Sequence, residues 1–530
     1  MYGEEDTMKK IAVSLADFEE IINNNYIYVD KTKYLHQMVS KDKYYFLSRP
    51  RRFGKSLFIS TLENFFKGKK DLFKDLYIYD KECNWEEYPI IKLDFNTIPT
   101  ESRDILEESI NKRLDQIAKK YNIDFEKDKA YYNFPKLVRE LSNKYGKGVV
   151  VLIDEYDKPI ISNIGRGEEK LEIAKENKDF LKIFYDNLKS LETNLRLVFM
   201  TGVSKFSKLS VFSTLNNLIE LDMHPRFYTM LGYTEEELRA NFKEYFDLLA
   251  KKLEIDIEIL YDKFKQMYNG FRFSDEEEKL YNPYSVAKAL DYQKIDNYWF
   301  ESGTPTFLID LIKEKGLDIT NINNIEVGRS KLKAHDITKL KLVPLLFQTG
   351  YLTIKEIEDQ VIYKLGYPNY EVEQGVSQNL LENMTEDMVE TPIIHRIKKS
   401  LIVRDYDKFI DYMKSLFANI SNINIPKDVK EREHFYHTIF YLTGVLFSDN
   451  NLNIYSELLT SEGRIDMVVE SEENFFIIEF KCNQSAADAI EQIEERNYKD
   501  KYKIKEKEIV LIGINFDTKE RNIKDYLIKN

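Results

Sequence analysis

Apolar residues along the chain fall into two recurring patterns. Short continuous runs rich in β-branched and aromatic residues alternate with longer stretches whose apolar positions return every three or four residues. The first run, YYFL at 44–47, is followed by LFISTLENFF, where Leu57, Phe58, Thr61, Leu62, Phe65 and Phe66 recur with helical spacing. Strand, loop, helix is the order predicted there. A second unit reads FPKLVRELSNKYGKG as a helix closed by Gly146 and Gly148, then VVVLIDEYD. Its VVVLI run has the composition of a strand buried on both faces of a parallel sheet. A third unit predicts a helix over FLKIFYDNLKSLE and a strand over LRLVFMTG. Helices alternating with buried strands predict an α/β domain built on a parallel sheet.

Beyond residue 232 the periodicity turns helical, and TEEELRANFKEYFDLLAKKL opens on a Thr with acidic residues behind it, an N-terminal capping signature. From residue 340, LKLVPLLFQTGYLTIKEIEDQVIYKLGYPN predicts a short helix, a turn at Gly350 and a β-hairpin. That order suits a winged-helix-like element or a plain α+β connector. The last part predicts a helix over KEREHFYHTIFYLTGVLF, strands NIYSELL, GRIDMVVE and FFIIEFKC, a helix AADAIEQIEERNYKDKY and a strand EIVLIGINF. A polar, proline-containing stretch, SNINIPKDVK, marks a linker before them. Three regions are expected: 1–231 as the first α/β domain, 232–425 as the helical and winged-helix-like middle, and 426–530 as a C-terminal α/β domain.

Composition narrows this picture. At 530 residues, with 36 Tyr and 33 Phe to fill cores, the chain is long enough for several domains and is not of the disordered class. Apolar runs stop far short of the roughly 20 residues a membrane helix needs, and the charged start MYGEEDTMKK lacks an apolar targeting segment. No membrane association and a cytoplasmic location are expected. Cys83 and Cys482 can build neither a disulfide framework nor a Cys-rich zinc site, which suits a reducing compartment. A net charge of −13 argues against a surface that coats nucleic acid indiscriminately, while leaving room for a local basic groove.

The candidate chemistry lies in two constellations. Gly54, Lys55 and Ser56 end a loop of the form G-x-x-x-x-G-K-[ST], with Arg49 where the first glycine belongs. In such loops backbone N–H groups wrap the phosphate, the lysine reaches phosphate oxygens and the hydroxyl binds Mg²⁺. Placed between a buried strand and an amphipathic helix, the loop would hold phosphate at a helix N-terminus. Asp154 and Glu155, ending the VVVLIDEYD strand, would supply a Mg²⁺ ligand and a group that orients or activates the attacking water. They could equally just end a strand at a polar surface. Arg51 and Arg52 are placed to neutralise phosphate charge or to bind Asp157 or its neighbours.

In the second constellation, Asp466 lies on one strand, and Glu479 and Lys481 lie on the next. Side chains alternate along a strand, so Glu479 and Lys481 share a face while Phe480 points into apolar surroundings. Two carboxylates could hold Mg²⁺ or Mn²⁺, and the amine could position water, which is the chemistry of metal-assisted phosphodiester hydrolysis. The same E-x-K pattern is also common on plain surfaces. The preceding helix carries Glu433, with His437 one turn later, and the following helix carries Gln492, whose neighbours Ala487, Ile490 and Ile493 would pack on the sheet. His434 and His437 either assist phosphate binding or are ordinary features of their helix.

Taken together, SRPRRFGKSLFISTLENFF, NYIYVDKTKYL, VVVLIDEYDKPI, MTGVSKFSK, YNPYSVAKAL and YWFESGTPTFL resemble the prokaryotic AAA-ATPase-like proteins, whose loop reads R-P-R-R-F-G-K-[ST]. The resemblance covers essentially the whole chain. In that family the arginine at the first loop position is usual, so Arg49 is a variant of the loop and not a lesion in it. The resemblance implies an additional, strand-rich P-loop ATPase core, and ATP as cofactor. It puts Lys55 and Ser56 on phosphate and Mg²⁺, Asp154 and Glu155 as the Walker B pair, and Thr201 where a polar sensor of the γ-phosphate belongs. No arginine finger is legible. The C-terminal order, with Glu433, Asp466, Glu479, Lys481 and Gln492, resembles the PD-(D/E)XK nuclease module that accompanies this ATPase. Some branches place Tyr four residues after the Gln. Here that place is Arg496, with Tyr498 two further on, a departure on the substrate side. The implied function is nucleotide-controlled cleavage of nucleic acid, DNA favoured over RNA, by a chain able to form a homo-oligomer. The alternative is a nucleotide-switched regulatory or binding protein that does not cleave.

Overall fold

The computed structural model describes residues 8–124, 128–164, 167–205, 215, 217–302, 311–312, 317–332, 342–385, 391–420, 429–448, 452–460, 463–502 and 507–530. The chain divides into two compact units, Met1–Lys315 with Glu326–Tyr370, and Gly316–Ile325 with Glu371–Asn530. Most of the predicted linker SNINIPKDVK, the end of MTGVSKFSK and most of YWFESGTPTFL lie outside the described residues.

The first unit is built on five strands: β1 (Tyr44–Ser48), β2 (Ile90–Asp94), β3 (Val149–Asp154), β4 (Leu195–Gly202) and β5 (Ile219–Glu220), in the order β2-β3-β4-β1-β5. Every described pairing among them is parallel. All residues of β1 and β3 are buried, as the continuous apolar runs require of a sheet covered on both faces. β4 lies between β1 and β3. Parallel register brings the C-terminal ends of β1, β3 and β4 to one edge, with Leu47 opposite Thr201 and Ser48 opposite Gly202. Ligands of open α/β sheets bind at that edge.

The predicted helices form, with changed limits. The loop helix runs Lys55–Phe66, and the helix closed by Gly146, whose φ is +61°, runs Ala130–Tyr145. The helix before β4 starts well before the predicted limit, at Glu168, because its polar N-terminal half hides the period. Beyond β5 the helix Glu235–Leu253 opens on the expected capping box: Thr234 accepts from the Glu237 backbone and the Glu237 side chain accepts from the Thr234 backbone. Its Leu238, Phe242, Phe246 and Leu249 pack with Leu260, Phe264 and Leu290 in one core. The helix–turn–hairpin forms from Leu342–Gln348, Gly350, β7 (Thr353–Glu358) and β8 (Ile362–Gly366), and β6 (Ile325–Gly328) makes the sheet three-stranded.

The second unit holds a mixed sheet, β13-β12-β11-β10-β9, from β9 (Asn453–Leu459), β10 (Arg464–Glu470), β11 (Asn474–Cys482), β12 (Glu508–Asp517) and β13 (Asn522–Lys529). β11 and β12 run parallel and the other pairs antiparallel. Val429–Phe447 is the helix before the strands. Ala486–Glu495 is the helix between β11 and β12, with Ile490 and Ile493 buried against Val468, Ile477 and Leu511.

Candidate active sites

The loop after β1 enters its helix through Gly54, whose φ of +92° is open to glycine at no steric cost. Arg52 (φ +69°) and Glu155 (φ +52°) take left-handed backbone without that freedom, so strain collects at this edge of the sheet. Asp154 is the hub. Its Oδ2 accepts from Ser56 Oγ at 2.6 Å, and its Oδ1 accepts from Thr201 Oγ1 at 2.5 Å and from the Glu155 backbone at 3.1 Å. The hydroxyl and carboxylate expected to share Mg²⁺ are therefore in contact, and both are hard oxygen donors that suit the ion. The buried Lys55 amine donates to the carbonyls of Arg49 and Pro50 at 3.0 and 3.2 Å and pairs with Glu155 at 3.2 Å.

Arg49 is 1% exposed and stays out of the phosphate cradle. Its guanidinium donates to the Ser48 and Tyr228 carbonyls, lies 4.3 Å over the Phe273 ring and pairs with Asp222 at 3.7 Å. Burial pushes its pKa down to about 10 despite Asp222. Arg51 is exposed at the loop, while Arg52 stacks 3.5 Å over Tyr284 and donates to the Tyr298 carbonyl. The expected alternative in which these arginines bind Asp157 gives way to another partner. Asp157 accepts from the backbone of Val203 and Ser204 and from Ser204 Oγ. Burial, and then the Glu155 charge, push its carboxyl up to about 6. Asp157 thus clamps the segment that follows Thr201 to the end of β3.

In the second unit, β10 and β11 pair so that Met467 faces Ile478, which brings Asp466 beside Glu479 and Phe480. Asp466 Oδ2 accepts from the Phe480 backbone at 2.8 Å. Glu479 is 1% exposed, and burial, then the Asp466 charge, push its carboxyl up to about 8. Gln492 bridges the cluster, its amide nitrogen donating to Glu479 Oε1 and its Oε1 accepting from Lys481 Nζ at 2.5 Å. Lys481 and Glu479 stand 3.8 Å apart. Glu479 Oε2 is buried and takes no hydrogen bond among the described residues. Glu433 stands on the exposed rim, its carboxyl raised by partial loss of water and then by Asp466.

Four predicted residues, Asp466, Glu479, Lys481 and Gln492, meet, with Glu433 within electrostatic reach. Among the described residues no three His, Cys, Asp or Glu side chains cluster closely enough to hold an ion unaided. Two carboxylates are nevertheless the donor set with which Mg²⁺ is commonly held, water and substrate phosphate completing its shell.

Both histidines stand beside protein partners. His434 is exposed and lies 3.5 Å from Asp318. His437 is buried, with Nδ1 3.2 Å from Glu457 and Nε2 3.0 Å from the Asp466 carbonyl. Arg496 donates to Tyr498 Oη, which in turn donates to the Arg464 carbonyl, so both residues of the departing motif brace β10. Sequence reading passed over Asp222 and Glu457, and it met Asp157 only as a partner for the loop arginines, not as the clamp on Ser204. Only an acid inside an apolar stretch could have signalled Glu457, and nothing local signalled Asp222 or the clamp.

The profile of a predicted AAA-ATPase family, AAA-ATPase-like, matches residues 12–212, and that of the PD-(D/E)XK nuclease superfamily matches residues 431–526. A relative from Azotobacter chroococcum mcd 1, the uncharacterized protein in vnfD 5'region, is 31% identical over 535 residues, 98% of this chain and 99% of that one. The chain belongs to the AAA-ATPase-like family. Its AAA-ATPase-like part holds the Gly54–Lys55–Ser56 loop and the Asp154 hub, and its PD-(D/E)XK part holds Asp466, Glu479, Lys481 and Gln492. No described helix is long and apolar enough to cross a membrane.

Proposed function

We propose that this chain binds and hydrolyses ATP with Mg²⁺ at the first site and, under control of that nucleotide, cleaves phosphodiester bonds of nucleic acid at the second. The observation that carries the reading is Glu479: a buried carboxylate with one unpartnered oxygen, beside a second carboxylate and an amine. Such an arrangement costs stability unless a cation joins it. Asp466 and Glu479 hold the Mg²⁺ or Mn²⁺, which polarises the phosphoryl group and acidifies water when bound. Lys481 positions that water and offsets developing charge, Gln492 fixes the spacing of Glu479 and Lys481, and Glu433 orders water at the rim.

At the first site Ser56 and Asp154 would take Mg²⁺, Gly54, Lys55 and Arg51 would face the phosphates, and Arg52, held over Tyr284, would add its charge beside them. Lys55 exchanges Glu155 for phosphate oxygens, which leaves Glu155 to orient the attacking water. Thr201, bonded to Asp154, reads the γ-phosphate. Residues 1–231, 232–425 and 426–530 are the working division into ATPase, helical middle and nuclease parts. DNA is the expected substrate in preference to RNA, the location is the cytoplasm, and a homo-oligomer is compatible with the fold.

The test is cleavage of single- and double-stranded DNA and RNA by the full chain with Mg²⁺ or Mn²⁺, comparing wild type with Lys481→Ala. Loss of a charged group that acts in the transition state should lower the rate by about 100-fold or more. Wild type that cuts no substrate with either metal would end the cleavage reading. The nucleotide-switched binding reading, which the net charge of −13 favours, would then stand.

A further inference from the structure

We propose that His437 and Glu457 are positioning residues for Asp466, holding this metal-binding strand residue by its own backbone carbonyl. The inference rests on the metal-site reading above.

One imidazole touches everything that fixes Asp466. A carbonyl can only accept, so His437 Nε2 donates to Asp466 O at 3.0 Å. Ser456 Oγ stands 3.2 Å from the same nitrogen and also donates to Asp466 O, at 3.3 Å. On its far side the ring presents Nδ1 to Glu457 Oε1 at 3.2 Å. Its flank packs on the Phe480 ring, 5.1 Å between centroids, and the Phe480 N–H is the donor that holds Asp466 Oδ2 at 2.8 Å. Asp466 is therefore gripped at its carbonyl and at one carboxylate oxygen. Its Oδ1 takes no hydrogen bond from the described residues and is left for a further ligand.

Glu457 is the less expected member. It lies in β9, only 6% exposed, and carries a left-handed backbone with φ of +55°. Pairing of Ile465 with Leu458 and of Met467 with Ser456 sets it opposite Asp466 across the ladder. A strand residue with no task has no cause to bury a carboxylate and strain its backbone. Here the distortion delivers that carboxylate to His437, and Arg464 Nε closes its other side. Histidine backed by a carboxylate is a device for holding a ring in one orientation, and the ring is what holds Asp466.

The account is tested by Mn²⁺ binding to the nucleotide-free full chain, followed by the electron paramagnetic resonance of free Mn²⁺, with melting temperature measured on the same samples. The site is defined as the binding that Glu479→Ala removes. His437→Leu should weaken that binding by about tenfold or more, the usual effect of losing such a partner, and Glu457→Gln by a smaller factor of about threefold. His437→Gln keeps an amide N–H able to reach Asp466 O and should restore affinity to within about threefold of wild type. If Glu479→Ala removes no binding, the metal reading itself fails and this inference with it. If Glu479→Ala removes the site while His437→Leu and Glu457→Gln bind as wild type does, the metal reading stands and the positioning role is wrong. Should His437→Leu not fold, wild-type affinity in Glu457→Gln overturns the proposal, as does failure of His437→Gln to retain binding when it melts like wild type.

Discussion

Arg49 stands where such loops ordinarily have glycine, and its side chain explains how the loop tolerates it. The guanidinium turns away from the cradle into a buried site between Asp222 and the Phe273 ring, and Lys205 also pairs with Asp222, at 2.8 Å. Restoring the glycine should therefore harm the protein. Arg49→Gly is expected to destabilise the first unit by about 3 kcal/mol, as breaking a buried ion pair does, read as a lowered denaturation midpoint. A midpoint at or above that of wild type would show the arginine to be dispensable. Glu479 makes a different residue-scale prediction. Its carboxyl is raised from the ordinary 4.5 to about 8, burial being the main cause and Asp466 the next. Between those values the native state binds more protons than the unfolded chain, so stability must fall as pH rises through that window. Metal-free protein should lose melting temperature from pH 5 to pH 8 by this contribution, roughly as the linkage relation requires. Glu479→Gln should flatten that slope and Mg²⁺ should reduce it in the wild type; equal slopes in wild type and variant would refute the assignment.

At the scale of elements, the second site depends on how closely one helix approaches the sheet. Gly513 lies on β12 directly opposite Glu479, and a Cβ there would come within 2.4 Å of the Ala486 carbonyl and 3.1 Å of Ala489 and Ile490. The bare backbone lets the helix carrying Gln492 settle onto β11 and β12. Gly513→Val should push that helix outward, break the Gln492–Glu479 contact and lower both melting temperature and cleavage, while ATP binding is kept. Retained cleavage would show that the helix position is not limiting. The sequence announced the helix and the strand but not this contact, since a glycine in an apolar strand looks alike whether or not a helix crosses it. Legibility followed the same rule elsewhere. β1, β3, β4, β10, β11 and β12 were readable because buried strands are continuous apolar runs. β13 was not, because NIKDYLIK alternates as an edge strand does and reads as surface. The loop residues and the E-x-K pair could be named because their spacing is local. Asp222 and Glu457 could not, and Asp157 could be named only with other partners, because Arg49, His437 and Ser204 lie 173, 20 and 47 positions away and only folding brings them together.

For the whole molecule, the fold places the two candidate sites in two compact units of one chain. Each has its acidic groups and a lysine drawn together from separate elements: Asp154, Glu155 and Lys55 in one, Asp466, Glu479 and Lys481 in the other. A net charge of −13 means that any nucleic acid must be met by a local basic surface, so cleavage should weaken steeply as salt is raised. The central claim is that nucleotide bound at the first site governs cutting at the second. The most direct measurement is the rate of DNA cleavage with Mg²⁺, with and without ATP, by wild type and by Lys55→Ala. A rate that depends on ATP in wild type and no longer responds to it in Lys55→Ala is the predicted result. Metal-dependent cutting that is identical in both proteins, with and without ATP, would contradict it.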